Sequence, residues 1–239
     1  MPQIVTIGSG GDYSTVASWV ASSDYSTDWG VGNKATGQIT GQIPETATIN
    51  TAVTPNGALL TAFPGEEYDS TNSATCAGLV SSGTPLTLRD NGLEVSFIFL
   101  DTTGASIALR PGSFEGIDAD IHDIGVKSGL SSNAATGIET YSGAAFTGNL
   151  ERVVVEGAGG RGVWLRNLCT GTIDHLTIVD AGANGSAFRY GLENDNAANV
   201  VTNILVLMHA SATAVGFNGT FPAGADFNAG SNVIMRVVI

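Results

Sequence analysis

The chain is poor in most of the features that mark a functional class. It has two cysteines in 239 residues, Cys76 and Cys169. Two thiols so far apart make neither a disulfide framework nor a zinc-ligand spacing, and they read as buried free thiols. Basic residues are scarce: nine Lys and Arg stand against 22 Asp and Glu, a formal net charge of −13. A surface this acidic argues against nucleic acid and anionic membrane as partners. Charged residues are only 13% of the chain and apolar ones 43%, a balance that argues against disorder. No apolar run approaches the ~20 residues that span a bilayer. The first ten residues carry neither a basic segment nor a long apolar one, so no secretory signal is expected. Histidine occurs three times, at His122, His175 and His209, without a shared repeat position, which argues against a His metal cluster.

Ligand motifs are equally thin. Gly8-x-Gly10-x-x-Tyr13 lacks the third glycine of a dinucleotide fingerprint, and no βαβ unit follows it. Asp118-x-Asp120-x-x-Asp123 lacks the glycine and terminal glutamate of a calcium loop, and reads better as outward carboxylates on a strand. Asn184-Gly185-Ser186 and Asn218-Gly219-Thr220 match glycosylation acceptors but read as turns. No cofactor and no metal are expected.

What the chain does have is 32 glycines and a recurring apolar triplet, φ-x-x-φ-x-φ. Leu150, Val153 and Val155 form one copy. Others fall at Val95/Ile98/Leu100, Ile121/Ile124/Val126, Ile173/Leu176/Ile178, Val201/Ile204/Val206 and Ile234/Val237/Ile239. Their first members stand at 95, 121, 150, 173, 201 and 234, in steps of 26, 29, 23, 28 and 33. Steps of that size mark a repeat architecture. A second marker drifts with the first: Gly137-Ile138, Gly162-Val163, Gly191-Leu192 and Ala214-Val215. The segments are short, β-branched and bounded by Gly, Asn and Ser, which is strand chemistry. Repeated coils of short strands give an all-β fold, a right-handed parallel β-helix, each coil ~4.8 Å from the next. A β-sandwich with irregular strands remains the alternative.

The chain divides at about residue 92. Residues 1–92 are expected to hold a cap strand at Gln3–Ile7, a short capping helix and irregular first coils. Residues 93–239 hold the regular coils. Val16, Trp19 and Val20 stand at i, i+3 and i+4, one helical face that would cover the open end of the stack, with Asp12 or Ser14 as its cap. Tyr25 to Asn33 and Asp69 to Ala77 read as loops. Thr46–Thr51, Ala58–Ala62 and Pro85–Leu88 read as short strands. Near the end, Gly219 to Asn228 reads as a projecting loop, and Arg236-Val237-Val238-Ile239 ends inside an apolar strand. Either the natural chain continues past Ile239 or a partner covers that strand.

Ile4-Val5-Thr6-Ile7-Gly8-Ser9-Gly10-Gly11-Asp12-Tyr13-Ser14-Thr15-Val16-Ala17-Ser18-Trp19 resembles the opening of right-handed parallel β-helix proteins of bacteriophages and marine viral sequences. Leu60 to Ser70 resembles a segment that precedes the regular coils in them. The resemblance implies a virion-surface or tail-associated protein, commonly trimeric, and implies no single activity. It places the chain on the virion surface, assembled in the host cytoplasm and released by lysis, with capsid or tail proteins and possibly a cell-surface glycan as partners.

For chemistry, the register stacks Glu151 over Asp174 and Arg152 over His175, with Asp123 and Asn203 on either side. Two adjacent carboxylates with separated pKa values suit glycoside hydrolysis. Glu151 and Asp174 are therefore the candidate acid and base, with His175 and Arg152 in support. The competing reading is a solvated ladder in which Asp123 pairs with Arg152. The enzyme families that resemble such coils bring motifs missing here. These are the Asn-Thr-Asp, Asp-Asp, Gly-His-Gly and Arg-Ile-Lys of polygalacturonase-like chains, the Gln-Asp-Thr and Gly-Arg-Pro-Trp of pectin methylesterases, and the calcium aspartates and arginine of pectate lyases. Only Gly-Gly-Asp-Tyr at the opening resembles a pectin methylesterase. Interface candidates are Trp164, expected to point outward between inward Val163 and Leu165, together with Phe221, Phe227, Val237 and Ile239. The reading that follows is a non-enzymatic phage structural protein, either a capsid decoration protein or a tail fibre or spike component. A polysaccharide depolymerase or lyase, or a glycan-binding adhesin, is the alternative.

Overall fold

The structure, a computed structural model, describes residues 4–50, 56–89, 91–104, 106–112, 117–129, 134–140, 143, 145–166, 169–182, 190–196, 198–208, 215–220, 227–229 and 234–235. Every strand pairing among them is parallel and joins one coil to the next. The chain is a parallel β-helix with three faces. The first face stacks Ile4–Ile7, Ala35–Ile39, Ala58–Ala62, Leu93–Ser96, Ala119–His122, the leading halves of Asn149–Ala158 and Thr172–Ala181, and Val200–Thr202. The second stacks Gln42–Pro44, Gly78–Ser81, Phe99–Thr102, Gly125–Ser128, the trailing halves of the two long strands, Ile204–Met208 and Phe227–Ala229. The third is a separate eight-stranded sheet running from Ala47–Ile49 to Ile234–Met235.

The apolar triplet is the signature of the corner between the first two faces. Leu150 points inward from the first face, and Val153 and Val155 from the second. Strict alternation would bury Arg152. It does not, because Arg152 takes φ 53° and turns the chain, leaving Glu151 and Arg152 both outside. Phe97, Asp123, His175 and Asn203 repeat the same left-handed bend in adjacent coils, at φ 57°, 54°, 51° and 53°. Five triplets share this register. The sixth does not: Ile234 pairs with Val215 in the third face, while Phe227 and Ala229 take the places beside Ile204 and Val206. Val237 and Ile239 lie outside the described residues.

The second marker belongs to the third face. Ile138, Val163, Leu192 and Phe217 are in register, so its fourth member is Gly216-Phe217 and not Ala214-Val215. The glycines face inward where the second face presses closest. A Cβ on Gly162 would stand 2.5 Å from Ile178 Cγ2 and 2.6 Å from the carbonyl oxygen of Gly191.

The N-terminal end is covered as the Val16 spacing suggests. Helix α1 (Val16–Val20) buries Val16 and Trp19, and helix α2 (Ser23–Ser26) adds Tyr25, whose ring meets Trp19 edge-on at 4.9 Å. The cap is Thr15, in a reciprocal capping box with Ser18, rather than Asp12 or Ser14. Asp12 instead accepts from the backbone and hydroxyl of Thr6. Glu45, between two strands of the second coil, accepts both Val16 N–H and Ala17 N–H at 2.8 Å, which fastens the lid to the stack. Tyr25 to Asn33 is thus partly helical.

Residues 63–77 connect the first face to the second within the third coil and fold back as a strap over the second face. Tyr68 stacks on Phe99 at 5.6 Å and donates its hydroxyl to Glu156 Oε1 at 2.5 Å. Gly125 lies directly beneath the ring, and a Cβ there would overlap it.

Candidate functional site

Outside the first face the side chains form two straight columns. One runs Thr36, Leu59, Glu94, Asp120, Asn149, Thr172, Val200. Its neighbour runs from Ser96 through His122, Glu151 and Asp174 to Thr202. The corner residues Phe97, Asp123, Arg152, His175 and Asn203 form a third column beside it. Parallel pairing sets neighbours in a column ~4.8 Å apart. Glu94, Asp120, His122, Asn149, Glu151 and Arg152 enclose a groove of 270 Å³, floored by Ile121.

All four sequence-derived candidates stand in these columns, Glu151 and Arg152 lining the groove and Asp174 and His175 on the next coil outside its lining. Glu151 and Asp174 are register partners on adjacent coils. Each is already engaged. Asp174 accepts from Thr202 Oγ1 at 2.6 Å, Asn203 Nδ2 at 2.7 Å and the His175 ring at 2.7 Å. These bonds, that from Thr202 foremost, hold its carboxyl down at about 2. Glu151 pairs with the Arg152 guanidinium, which also grips Asp123 through Nε and Nη2 at 2.7 and 2.8 Å. The Arg152 fork, outweighing partial burial, keeps Asp123 below the usual carboxylate range. Glu94 is pushed up by burial and pulled down more strongly by Lys34 and His122, and ends low. Polar contacts therefore run without a break from Lys34 through Glu94, the His122 ring, Asp123 and Arg152 to Glu151, with ion pairs at Lys34–Glu94, Asp123–Arg152 and Arg152–Glu151. A general acid needs a raised pKa, and those of Asp174, Asp123 and Glu94 are lowered instead.

Trp164 points outward between buried Val163 and Leu165. Both its ring faces are covered: Arg161 and Arg166 set their guanidinium carbons 3.7 and 3.2 Å from the ring centroid. Its indole N–H donates to Asp195 at 2.9 Å. The arginines are fixed in turn by Glu193 and Glu139. No ring face is left to stack on a sugar. Phe227 lies on the second-face strand beside Ile204, and Phe221 lies outside the described residues.

Sequence reasoning missed a charged island on the second face. Asp101, Lys127 and Glu156 follow one another in a column whose other described members are Pro44, Val80, Val179 and Leu207. Burial raises the Asp101 pKa, Lys127 opposes this and Glu156 adds to it. Tyr68 is raised by burial and by its bond to Glu156. The signal was three charges at one repeat position, visible only once the register was fixed. The thiols of Cys76 and Cys169 are buried, and burial pushes each up to about 11, out of nucleophilic range. Among the described residues, no group of three His, Cys, Asp or Glu side chains is arranged to hold a metal.

No family model and no curated protein matches the chain. Its fold has a solved likeness. The crystal structure of a pectin methylesterase from Aspergillus niger, in deglycosylated form, superposes with a TM-score of 0.50 over 97% of this chain and 91% of that one. The chain is a right-handed parallel β-helix. Identity to that enzyme is 12%, so the likeness is one of fold alone.

Proposed function

We propose that this chain is a non-enzymatic structural protein of a phage particle, carried on the particle surface as a capsid decoration protein or as part of a tail fibre or spike. The observation that carries the reading is the first-face ladder. In it Asp174, Asp123 and Glu94 are held below the ordinary carboxylate range by fixed partners, several of them on neighbouring coils, an arrangement that stiffens the stack. The resemblance of Ile4 to Trp19 to phage β-helices supports the particle context, and the acidic surface fits a protein that avoids packaged nucleic acid. A surface post of this kind works as a homotrimer against other virion proteins. The test is to wash purified particles extensively and probe for the chain by mass spectrometry and labelled antibody. Retention at fixed copy number is expected, and recovery only in the soluble fraction of lysed cells overturns the reading.

The first-face groove favours a second reading, that of a glycan-binding surface without turnover. A polar trough along stacked coils can follow an extended chain. Glycan arrays test it, and absence of binding to any glycan removes it.

A further inference from the structure

We propose that the second face carries a covalent cross-link between adjacent coils, an amide joining Lys127 Nζ to Asp101 Cγ, which the folded chain forms on itself. The inference goes beyond the proposed function and does not depend on where the chain is carried.

The three groups that such a bond needs stand in line. Lys127 is the register partner of Asp101, and Glu156 is the next member of the same column. Parallel pairing sets each ~4.8 Å from the next at Cα, a spacing that a lysine side chain spans with room to bend over the carboxyl. The column is apolar on both sides of them: Pro44 and Val80 precede Asp101, and Val179 and Leu207 follow Glu156. An acid, an amine and a second acid in such a row ordinarily form ion pairs. Here the Lys127 ammonium and the Asp101 carboxyl make no hydrogen bond and no ion pair among the described residues. The amine stands between two carboxyls and is given to neither.

The surroundings favour the reaction. Phe99 and Gly125 stand two residues before Asp101 and Lys127 on the same strands, and Tyr68 of the strap stacks on Phe99 at 5.6 Å, over Gly125. That aromatic pair walls one side of the row. Burial raises the Asp101 pKa, Lys127 opposes this and Glu156 adds to it. The shift favours the neutral acid, the form that an amine attacks. Tyr68 fixes Glu156 from the strap side through the hydroxyl bond to Oε1. Two reactants held side by side gain an effective molarity that a free pair lacks.

The step balances without an oxidant or a co-reactant. Glu156 takes a proton from the Lys127 ammonium. The freed amine attacks Asp101 Cγ and an N–C bond forms. A second nitrogen proton passes to the departing hydroxyl, a Cγ–O bond breaks and water leaves. The proton on Glu156 returns to solvent. The product is a neutral amide, which is less costly to keep half-buried than the charges it replaces. It ties one coil to the next where the strap crosses them.

The test is the intact mass of the purified full chain, measured after unfolding. The wild-type chain is expected to be lighter than its sequence by one water. A protease digest should yield a branched peptide that tandem spectrometry resolves as Lys127 joined to Asp101. Lys127→Arg keeps the cation, cannot form the amide and should have full mass. Glu156→Gln should slow bond formation by about a hundredfold, followed as the loss of mass after cell-free synthesis. Full mass in the wild-type chain after prolonged incubation in the folded state overturns the inference. A water loss that persists in Lys127→Arg overturns it in favour of a cyclic imide at an aspartate. A branch from Lys127 to Glu156 overturns the choice of Asp101 as electrophile, and an unchanged rate in Glu156→Gln overturns the proton relay. The wild-type mass decides the matter even where a variant fails to fold.

Discussion

At the residue scale, the molecule turns on five positions that most side chains avoid. Phe97, Asp123, Arg152, His175 and Asn203 hold the left-handed bend of one corner. Asp and Asn tolerate that conformation, whereas a bulky residue does so at a cost. Phe97 is 38% exposed and its ring meets that of His122 edge-on at 6.0 Å, so packing offsets the cost of the bend there. Asp174 gives the pH dependence. Its folded pKa, about 2, lies below the ordinary 3.8. Its stabilisation is therefore full above the unfolded value and is lost as pH falls through the folded one. Asp174→Asn should lower the melting temperature at pH 7, and the gap to wild type should close between about pH 5 and pH 2. A gap unchanged across that range would mean that Asp174 is not held by Thr202 and Asn203.

At the element scale, the five in-register triplets were legible because an inward residue, two outward ones and a return inward is a one-dimensional pattern. So were the stacking of Glu151 on Asp174 and the outward turn of Trp164, which follow from register and alternation alone. The fourth glycine marker slipped by two residues, because Ala214-Val215 imitates the small-then-apolar pair that Gly216-Phe217 supplies. The glycine is required by depth, not by a turn. Gly162→Ala places a methyl against Ile178 and the next coil's backbone and should cost about 1–3 kcal/mol in chemical denaturation. A change within ~0.5 kcal/mol would contradict the close approach of the faces. The strap over the second face was not legible, since Tyr68 and Glu156 meet across 88 residues. Loss of that bond in Tyr68→Phe should cost about 1.5–3 kcal/mol and free the strap. Cys76, on the strap itself and buried in the cluster with Tyr68 and Phe99, reports the opening. Its labelling by a thiol reagent should accelerate while that of Cys169 does not, and an unchanged Cys76 rate would show that the strap is held elsewhere.

At the scale of the whole molecule, one register decides everything else. The same stacking that lines up aliphatic side chains inside lines up charges outside, so rigidity and surface chemistry are not independent. What the ladder does could not be read before the coils were aligned. Asp174 loses its availability as an acid chiefly because Thr202 and Asn203 arrive beside it from the next coil, 28 and 29 residues later. The sequence pattern carried the coil; the partners of each outward atom came from three-dimensional neighbours of variable spacing.

Cysteine pairs read that register directly. Val154 and Thr177 face each other across adjacent coils, while Val179 stands two residues farther along the same strand. Parallel stacking sets the first pair ~4.8 Å apart at Cα, inside the range for a disulfide, and the second at roughly 8 Å, outside it. Under mild oxidation the Val154→Cys, Thr177→Cys chain should form an intramolecular bond quickly, and the Val154→Cys, Val179→Cys chain should stay reduced. The opposite order, or no bond in either, would contradict the stacked coils on which the ladder, the groove and the proposed function all rest.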